Sequence, residues 1–303
     1  MLQMHIEQPV LHSHKEIILL KFILLLIIST IQTAFASSPV WLVESEQNRL
    51  FLAGTIHVLR ASDHPLPSAF ESAYKQSQIL TFETDISESQ SPAFQQQMLQ
   101  AVSLDQNQIL QDLISPQIQA KLITYLRENN LNIQQFSRFK PSMIAMTLTL
   151  LELKKLGAGS HGVDQYYFNK AKQDHKKTHA LESLQQQIDF LAHMGEGQED
   201  QIIQQTMKDI DTLASQFSIM VESWKKGDVT QLEELFVKPM QQEFDSVYQQ
   251  LLVQRNLNWL PQIMDYLKTP ETEMVLVGSA HLLGKDGLIK LLKQAGLKIT
   301  QLD

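Results

Sequence analysis

The sequence predicts an α/β protein of the α+β kind: a central mixed sheet built from the N- and C-terminal segments, with a large helical insertion forming a cap. Two observations predict the sheet. Near the start, Leu50-Phe51-Leu52-Ala53 leads to Gly54 and then to His57; near the end, Met274-Val275-Leu276-Val277 leads to Gly278 and then to His281. A short apolar run is the pattern of a buried strand, and a glycine at its end lets the backbone turn tightly or approach another group closely. A third observation predicts the cap: residues 89–270 are rich in Gln and Leu with few β-branched runs, which is helical sequence.

Taken in order, the chain opens with Lys15 and Lys21 ahead of an apolar run, residues 22–31, followed by Ala34-Phe35-Ala36. A basic flank, an apolar stretch and a small-residue site make a secretory signal, residues 1–36, cleaved after Ala36. The run is about 10 residues, half of the roughly 20 that a membrane-spanning helix needs. No stable membrane insertion is expected after signal cleavage, an uncleaved anchor being the alternative, and the expected location is periplasmic or secreted. Residues 37–303 then form a single domain, with sheet-forming ends at 37–88 and 271–303 and the mainly helical middle at 89–270.

Val40-Trp41-Leu42-Val43 and the run that ends in Gly54 are separated by polar residues including Asn48, which predicts a β-hairpin. Asp63, Pro65 and Pro67 mark a loop after His57. From Ser68 on, Phe70 and Tyr74 alternate with Glu71, Lys75 and Gln78 at helical spacing. Ile79-Leu80-Thr81-Phe82 reads as a second buried strand, ending in Glu83-Thr84-Asp85. Strand, loop, helix, strand is a right-handed crossover, which puts this strand parallel and close to the first. Helices are predicted over 92–102, 116–129, 141–156, 163–172, 184–194, 199–225, 229–252 and 256–268. After the 274–277 strand comes a short helix stopped by Gly296. The alternating residues 297–302 predict an edge or near-edge strand.

The bulk properties narrow the function. With 303 residues, 43% of them hydrophobic, the chain can bury a substantial core. A net charge of -8 with no long basic run argues against a nucleic-acid partner. Cysteine is absent, so any metal must be held by His, Asp, Glu or backbone oxygen. The single glycine in Gly54-Thr55-Ile56-His57 lacks the glycine-rich pattern of a phosphate loop, which argues against a nucleotide site.

Two strand ends side by side would bring His57 and His281 into one crevice, where open α/β sheets place their sites. A single histidine in such a strand is more often a packed or hydrogen-bonded residue; two in matching contexts raise the metal reading. Two imidazoles and a carboxylate form a common divalent-metal set. The ligands would be His57, Glu83 and His281, with Asp85 behind them and Gly54 and Gly278 supplying close backbone. A metal with an open position brings the pKa of its water near 7 and makes hydroxide available for attack on a carbonyl.

These residues resemble the TraB/GumN family, which includes the Tiki metalloproteases. The resemblance rests on Gly54-Thr55-Ile56-His57, Glu83-Thr84-Asp85 and Gly278-Ser279-Ala280-His281-Leu282 with Gly284 and Gly287. Further matching segments are His161-Gly162-Val163-Asp164, Leu181-Glu182-Ser183 with Gln186 and Gln187, and Arg255-Asn256 with Trp259. It covers nearly all of the chain from Trp41 on, and departs from the family pattern at His161, where a glycine usually stands. It implies metal-dependent proteolysis with manganese or cobalt favoured and zinc possible, and a peptide or protein as substrate. Beside it, Arg255 can hold a substrate carboxylate or stabilise an oxyanion. Glu182 can act as a base, back a histidine, or simply pair with Arg255. Asp164 stands either behind a ligand or at a helix start, and Gln186 is placed in the same outer ring.

Two functions follow. The first is an exported metal-dependent hydrolase, peptidase-like, using a His/Glu-bound divalent metal to activate water. The alternative is a non-catalytic periplasmic protein of the same fold that binds a peptide, a metal or haem; relatives of similar fold include erythromycin esterase-like and haem-iron uptake proteins.

Overall fold

The apolar runs become strands. β1 (Val40–Glu44) and β2 (Arg49–Thr55) form the hairpin, followed by β3 (Leu59–Arg60), β4 (Ile79–Phe82), β5 (Ala158–Gly159), β6 (Lys177–Ala180), β7 (Glu273–Gly278) and β8 (Lys298–Gln301). The computed structural model describes residues 37–159 and 162–303. The predicted signal segment and the predicted departure at His161 lie outside the described residues. No helix among the described residues is long and apolar enough to cross a membrane.

Among the described residues, six strands form one mixed sheet in the order β6-β4-β7-β2-β1-β8. β2, β7, β4 and β6 run parallel, while β1 pairs antiparallel with both β2 and β8. The C-terminal strand β7 lies in the middle with Met274 to Val277 all fully buried, as a strand covered on both faces has to be apolar throughout. β7 separates β2 from β4, so the crossover strand is parallel and close to the first, as expected, with one strand between them. This order tightens the site: with Thr55 opposite Gly278 and Phe82 opposite Leu276, three neighbouring strands end together at their carboxyl ends.

The helices are α1 (Ser68–Gln76), α2 (Pro92–Ala101), α3 (Pro116–Glu128), α4 (Pro141–Lys155), α5 (Val163–Gln173), α6 (Leu184–His193), α7 (Glu199–Lys225), α8 (Gln254–Tyr266) and α9 (Leu288–Gln294), with shorter turns between. Leu110, Leu122, Leu126, Ile144, Leu148 and Ile203 close a second apolar core inside the cap, separate from the core over the sheet. The two parts are joined at Trp224 of α7, fully buried, whose indole N–H donates to the Gly54 carbonyl at 2.7 Å.

The middle is less purely helical than the sequence predicts. β6 belongs to it and is an edge strand of exposed Lys177, Thr178 and His179, so it has no apolar run by which to be read. The helix predicted over 229–252 breaks at Phe244 (φ -139, ψ 57) and contains two π-helical stretches, Glu233–Val237 and Gln249–Val253. The second runs straight into α8 and so joins two helices that the sequence separates.

Candidate metal centre

Each ligand candidate is delivered by the end of a different parallel strand. His57 follows β2 by two residues; its ring is 61% exposed, and its Nδ1 lies 2.8 Å from Asp164 Oδ2. Asp164 reaches it because α5 begins against the end of β2. The Val163 N–H donates to the Ile56 carbonyl, and a Cβ at Gly162 would sit 2.0 Å from the His57 carbonyl oxygen, so only glycine fits there. Asp164 also accepts from the Thr55 hydroxyl at 3.0 Å. Both available roles are thus combined: Asp164 lies in the first turn of a helix and orients a site histidine.

His281 lies on the 3-10 turn Ser279–Leu282 after β7, not on the strand itself, and its ring is only 4% exposed. Its Nδ1 is 2.8 Å from Asn256 Oδ1, and the Asn256 amide donates to the carbonyls of His281 and Asp286. The amide nitrogen is therefore committed to carbonyls and Oδ1 is the acceptor, so His281 carries its proton on Nδ1 and turns the Nε2 lone pair to the site. Trp259 packs on the same ring, centroids 4.5 Å apart.

Glu83 closes the set. Its Oε1 accepts the Gly278 N–H at 2.7 Å and lies 4.0 Å from His57 Nε2 and 3.9 Å from His281 Nε2. The two Nε2 atoms therefore lie at most about 8 Å apart on either side of that oxygen, whereas one ion bonded to both needs them within about 4 Å, so the rings must draw together to share it. A Cβ placed on Gly278 would lie 3.3 Å from both Glu83 Oε1 and His57 Nε2 and 3.7 Å from His281 Cδ2, so the three side chains converge closely over this glycine.

Arg255 stands at the same place. Its Nη2 donates to Glu83 Oε2 at 2.5 Å, its Nη1 to His281 Nε2 at 3.0 Å, and its Nε and Nη2 to Glu182. The guanidinium also lies over the Trp259 ring. Glu182 accepts in addition from the Trp259 indole at 3.1 Å, and its side chain is 4% exposed. Both of its oxygens are engaged by donors, so it holds Arg255 and Trp259 and is not disposed as a base.

The electrostatics follow this geometry. Asp164 beside His57 raises the His57 pKa to about 9, with Glu83 adding to it. Burial drives His281 the other way, to about 3, so that its ring is neutral. For Glu83, burial opposes ionisation, but His281, Arg255, His57 and the Gly278 N–H together bring it down to about 2. With His281 neutral, Arg255 is the lasting cation of that group.

Two predicted positions fall outside the cluster. Asp85 Oδ1 accepts from the Ser87 and Glu88 N–H groups and caps the turn Ile86–Ser89, because the chain leaves the strand at Glu83 and the two-residue alternation ends there. Gln186 Oε1 accepts from the Ser183 N–H in a capping box at the start of α6. Its neighbour Gln187 is the residue that lines the cleft, beside His57, Glu83 and Asp164. The sequence marks Asn256 and Trp259 only as part of the family-like segment with Arg255, without a role; their orienting roles follow from standing one and four residues after Arg255 on α8, a spacing that shares one helix face for Arg255 and Trp259.

With three strand ends, a polar network and a helical cap described, the chain can be set against known proteins. The model of the TraB/PrgY/gumN family matches residues 39–301. The chain belongs to that family. It is also 28% identical over 253 residues to "Uncharacterized protein YbaP" of Escherichia coli (strain K12), covering 81% of this chain and 89% of that protein. A protein of the same name from Shigella flexneri is 27% identical over 248 residues, covering 80% and 87%. No solved structure matches the chain.

The fit of the cluster to a divalent ion is good in its donors and incomplete in its geometry. Each imidazole has its Nδ1 held by an oxygen and its Nε2 turned inward, the usual setting of a ligating histidine. Among the described residues, no group of three His, Asp or Glu side chains stands at ligand distances. The Arg255 Nη1 contact with His281 Nε2 gives a physical reason: it uses the lone pair that an ion would take.

Proposed function

We propose that the chain is an exported metal-dependent hydrolase of peptide-like substrates, with His57, Glu83 and His281 holding a divalent ion, manganese or cobalt before zinc. The single observation that carries this reading is the convergence of two Nδ1-anchored imidazoles on Glu83 Oε1 at the carboxyl ends of three adjacent parallel strands. A divalent ion held there supplies Lewis acidity and lowers the pKa of water towards neutrality. The protein's own residues do the rest. Asp164 and Asn256 fix the two rings, and the neutral state of His281 leaves it ready to ligate without losing a proton. Arg255 Nη1 occupies the His281 Nε2 lone pair that an ion would need; were His281 to hold one, Nη1 would be a permanent donor placed to stabilise negative charge on a substrate carbonyl oxygen. Glu182 keeps the guanidinium at hand.

The second reading, an exported binding protein that holds a peptide, a metal or haem without turnover, is favoured by one observation: the engagement of Arg255 with both Glu83 and His281, which leaves a closed network in place of an open site. Purified protein loaded with manganese or cobalt and incubated with a peptide library separates the two. The hydrolase reading expects cleavage that is lost in both His57→Ala and His281→Ala. Full activity in both variants overturns it, and tight peptide binding with no cleavage selects the second.

A further inference from the structure

Beside the ligand cluster the cleft has two unlike sides. One, of about 230 Å³, is lined by His57, Glu83, Thr84, Asp164 and Gln187 together with Phe82 and Ile86, and so offers hydrogen-bonding groups beside apolar ones. The other is a cavity of about 300 Å³ that shares His57, Glu83, Arg255 and His281 with the site, is floored by the ends of β2 and β7, and carries Met220, Phe236, Leu251 and Leu252 on its apolar wall. It continues past His57, through Met220 and Phe236, into a second apolar recess of about 260 Å³ under Leu153, Leu213 and Phe217. Met220, Phe236 and Leu251 are only half-buried, so this apolar wall is open to whatever enters the cleft.

How the wall is built supports a role. Phe236 comes from the π-helical stretch Glu233–Val237, and Leu251 and Leu252 come from the other, Gln249–Val253, which continues directly into α8 and Arg255. A π turn carries one more residue than an α turn and is uncommon except where a helix face has been adjusted to a functional site. Here both stretches face one cavity, and one of them sets the position of Arg255.

We propose that this wall is the specificity subsite for a large apolar side chain adjoining the bond that the cluster acts on. The occupant is a peptide residue of the leucine, methionine or phenylalanine class, with its neighbour on the other side of the site meeting the polar groups of Thr84 and Gln187. The inference rests on the cleft being the substrate site. The cavity's continuity with all four cluster side chains makes the apolar occupant part of a substrate. The polar side opposite provides hydrogen-bonding partners for a peptide backbone, and so favours a peptide over a wholly apolar ligand.

The test uses fluorescein-labelled hexapeptides of Gly and Ser carrying one Leu, Met or Phe, against the same peptides with Asp or Lys at that position. Binding to the full chain is read by fluorescence anisotropy and cleavage by mass spectrometry. The subsite expects the apolar peptides to bind about tenfold tighter or more, the discrimination typical of an apolar pocket. That preference should be lost in Phe236→Ala and reversed for Lys peptides in Met220→Glu, with Leu251→Trp, which fills the cavity, weakening large side chains most. Circular dichroism and melting curves establish that each variant is folded. Equal binding of apolar and charged peptides overturns the subsite, as does a preference that survives all three folded variants. Apolar preference without cleavage leaves the subsite standing and refutes the hydrolase reading, whereas cleavage without preference does the reverse.

Discussion

The two Gly-x-x-His segments are near-copies in sequence and opposites in environment. His57 is 61% exposed, paired with a carboxylate and pushed up to about 9; His281 is 4% exposed, paired with an amide and pushed down to about 3. Their glycines differ as well. A Cβ on Gly54 would meet Ser279 Oγ at 2.9 Å and Leu282 at 3.1 Å, whereas one on Gly278 would enter the space between Glu83 and His57. The same local sequence therefore builds a buried ring in one place and an exposed, carboxylate-paired ring in the other, because Asn256 and Trp259 of α8 cover His281 while His57 opens to the cleft.

The largest effect that can break this comparison is on stability. His281→Ala removes a buried ring that packs on Trp259 and leaves Asn256 Oδ1 and Arg255 Nη1 without their partner, so it should cost about 2–4 kcal/mol. For a domain of this size the melting temperature should fall by about 5–10 °C. His57→Ala, at an exposed position, should stay within about 0.5 kcal/mol of the parent. Equal losses in calorimetry would show that the two environments are alike.

The glycines sharpen the same contrast. Gly54→Ala should destabilise by about 1–3 kcal/mol through overpacking against Ser279 and Leu282. Gly278→Ala should leave the melting temperature nearly unchanged and weaken manganese affinity by about 10–100-fold, read by titration calorimetry. A reversed pattern would place the site's close convergence at Gly54 and the packing contact at Gly278.

A smaller effect appears in pH dependence of the metal-free protein. Because the folded pKa of His57 is raised, its contribution to stability is complete below about 6.5 and is lost as pH climbs through about 9. For His281 the folded pKa is lowered, so below about 6.5 the unfolded chain takes up a proton that the folded chain refuses, and stability falls with acid. Urea midpoints from pH 5 to 10 should peak near neutrality. Asp164→Asn should remove the alkaline slope alone and bring the His57 NMR titration down from about 9 towards its ordinary value. The exposed ring keeps this slope shallow. An alkaline slope unchanged in Asp164→Asn would take Asp164 out of the account.

Asp85→Ala should do least. It removes a cap worth about 0.5–2 kcal/mol from the turn Ile86–Ser89 and should leave manganese affinity untouched, since the carboxylate faces away from the ligands into that turn. A large drop in affinity would restore Asp85 to the ring behind them.

The parts of this picture that could be read in the sequence were those governed by short-range patterns. The apolar runs at residues 50–53, 79–82 and 274–277 each form a strand, and the position of Glu83 just past Phe82 brings it to the site. Strand order was not written locally: nothing near Ile79 says that β7 will come between β4 and β2, because all three runs are apolar enough to be buried on both faces and the order depends on pairing between distant segments. β6 escaped notice because an exposed edge strand needs no apolar residues. Asp85 was misplaced because the strand ends at Phe82 and the chain turns after Glu83, and Asn256, though marked in the sequence beside Arg255, has no role legible there because that role depends on a ring 25 positions away.

The central claim is that His57, Glu83 and His281 share one ion. Manganese added to chelator-treated protein carrying 15N-labelled histidine, studied by pulsed electron paramagnetic resonance, tests it directly. The account predicts couplings to two imidazole nitrogens in the parent and to one in each of His57→Ala and His281→Ala. A hydrated manganese signal with no nitrogen coupling in the parent would contradict it.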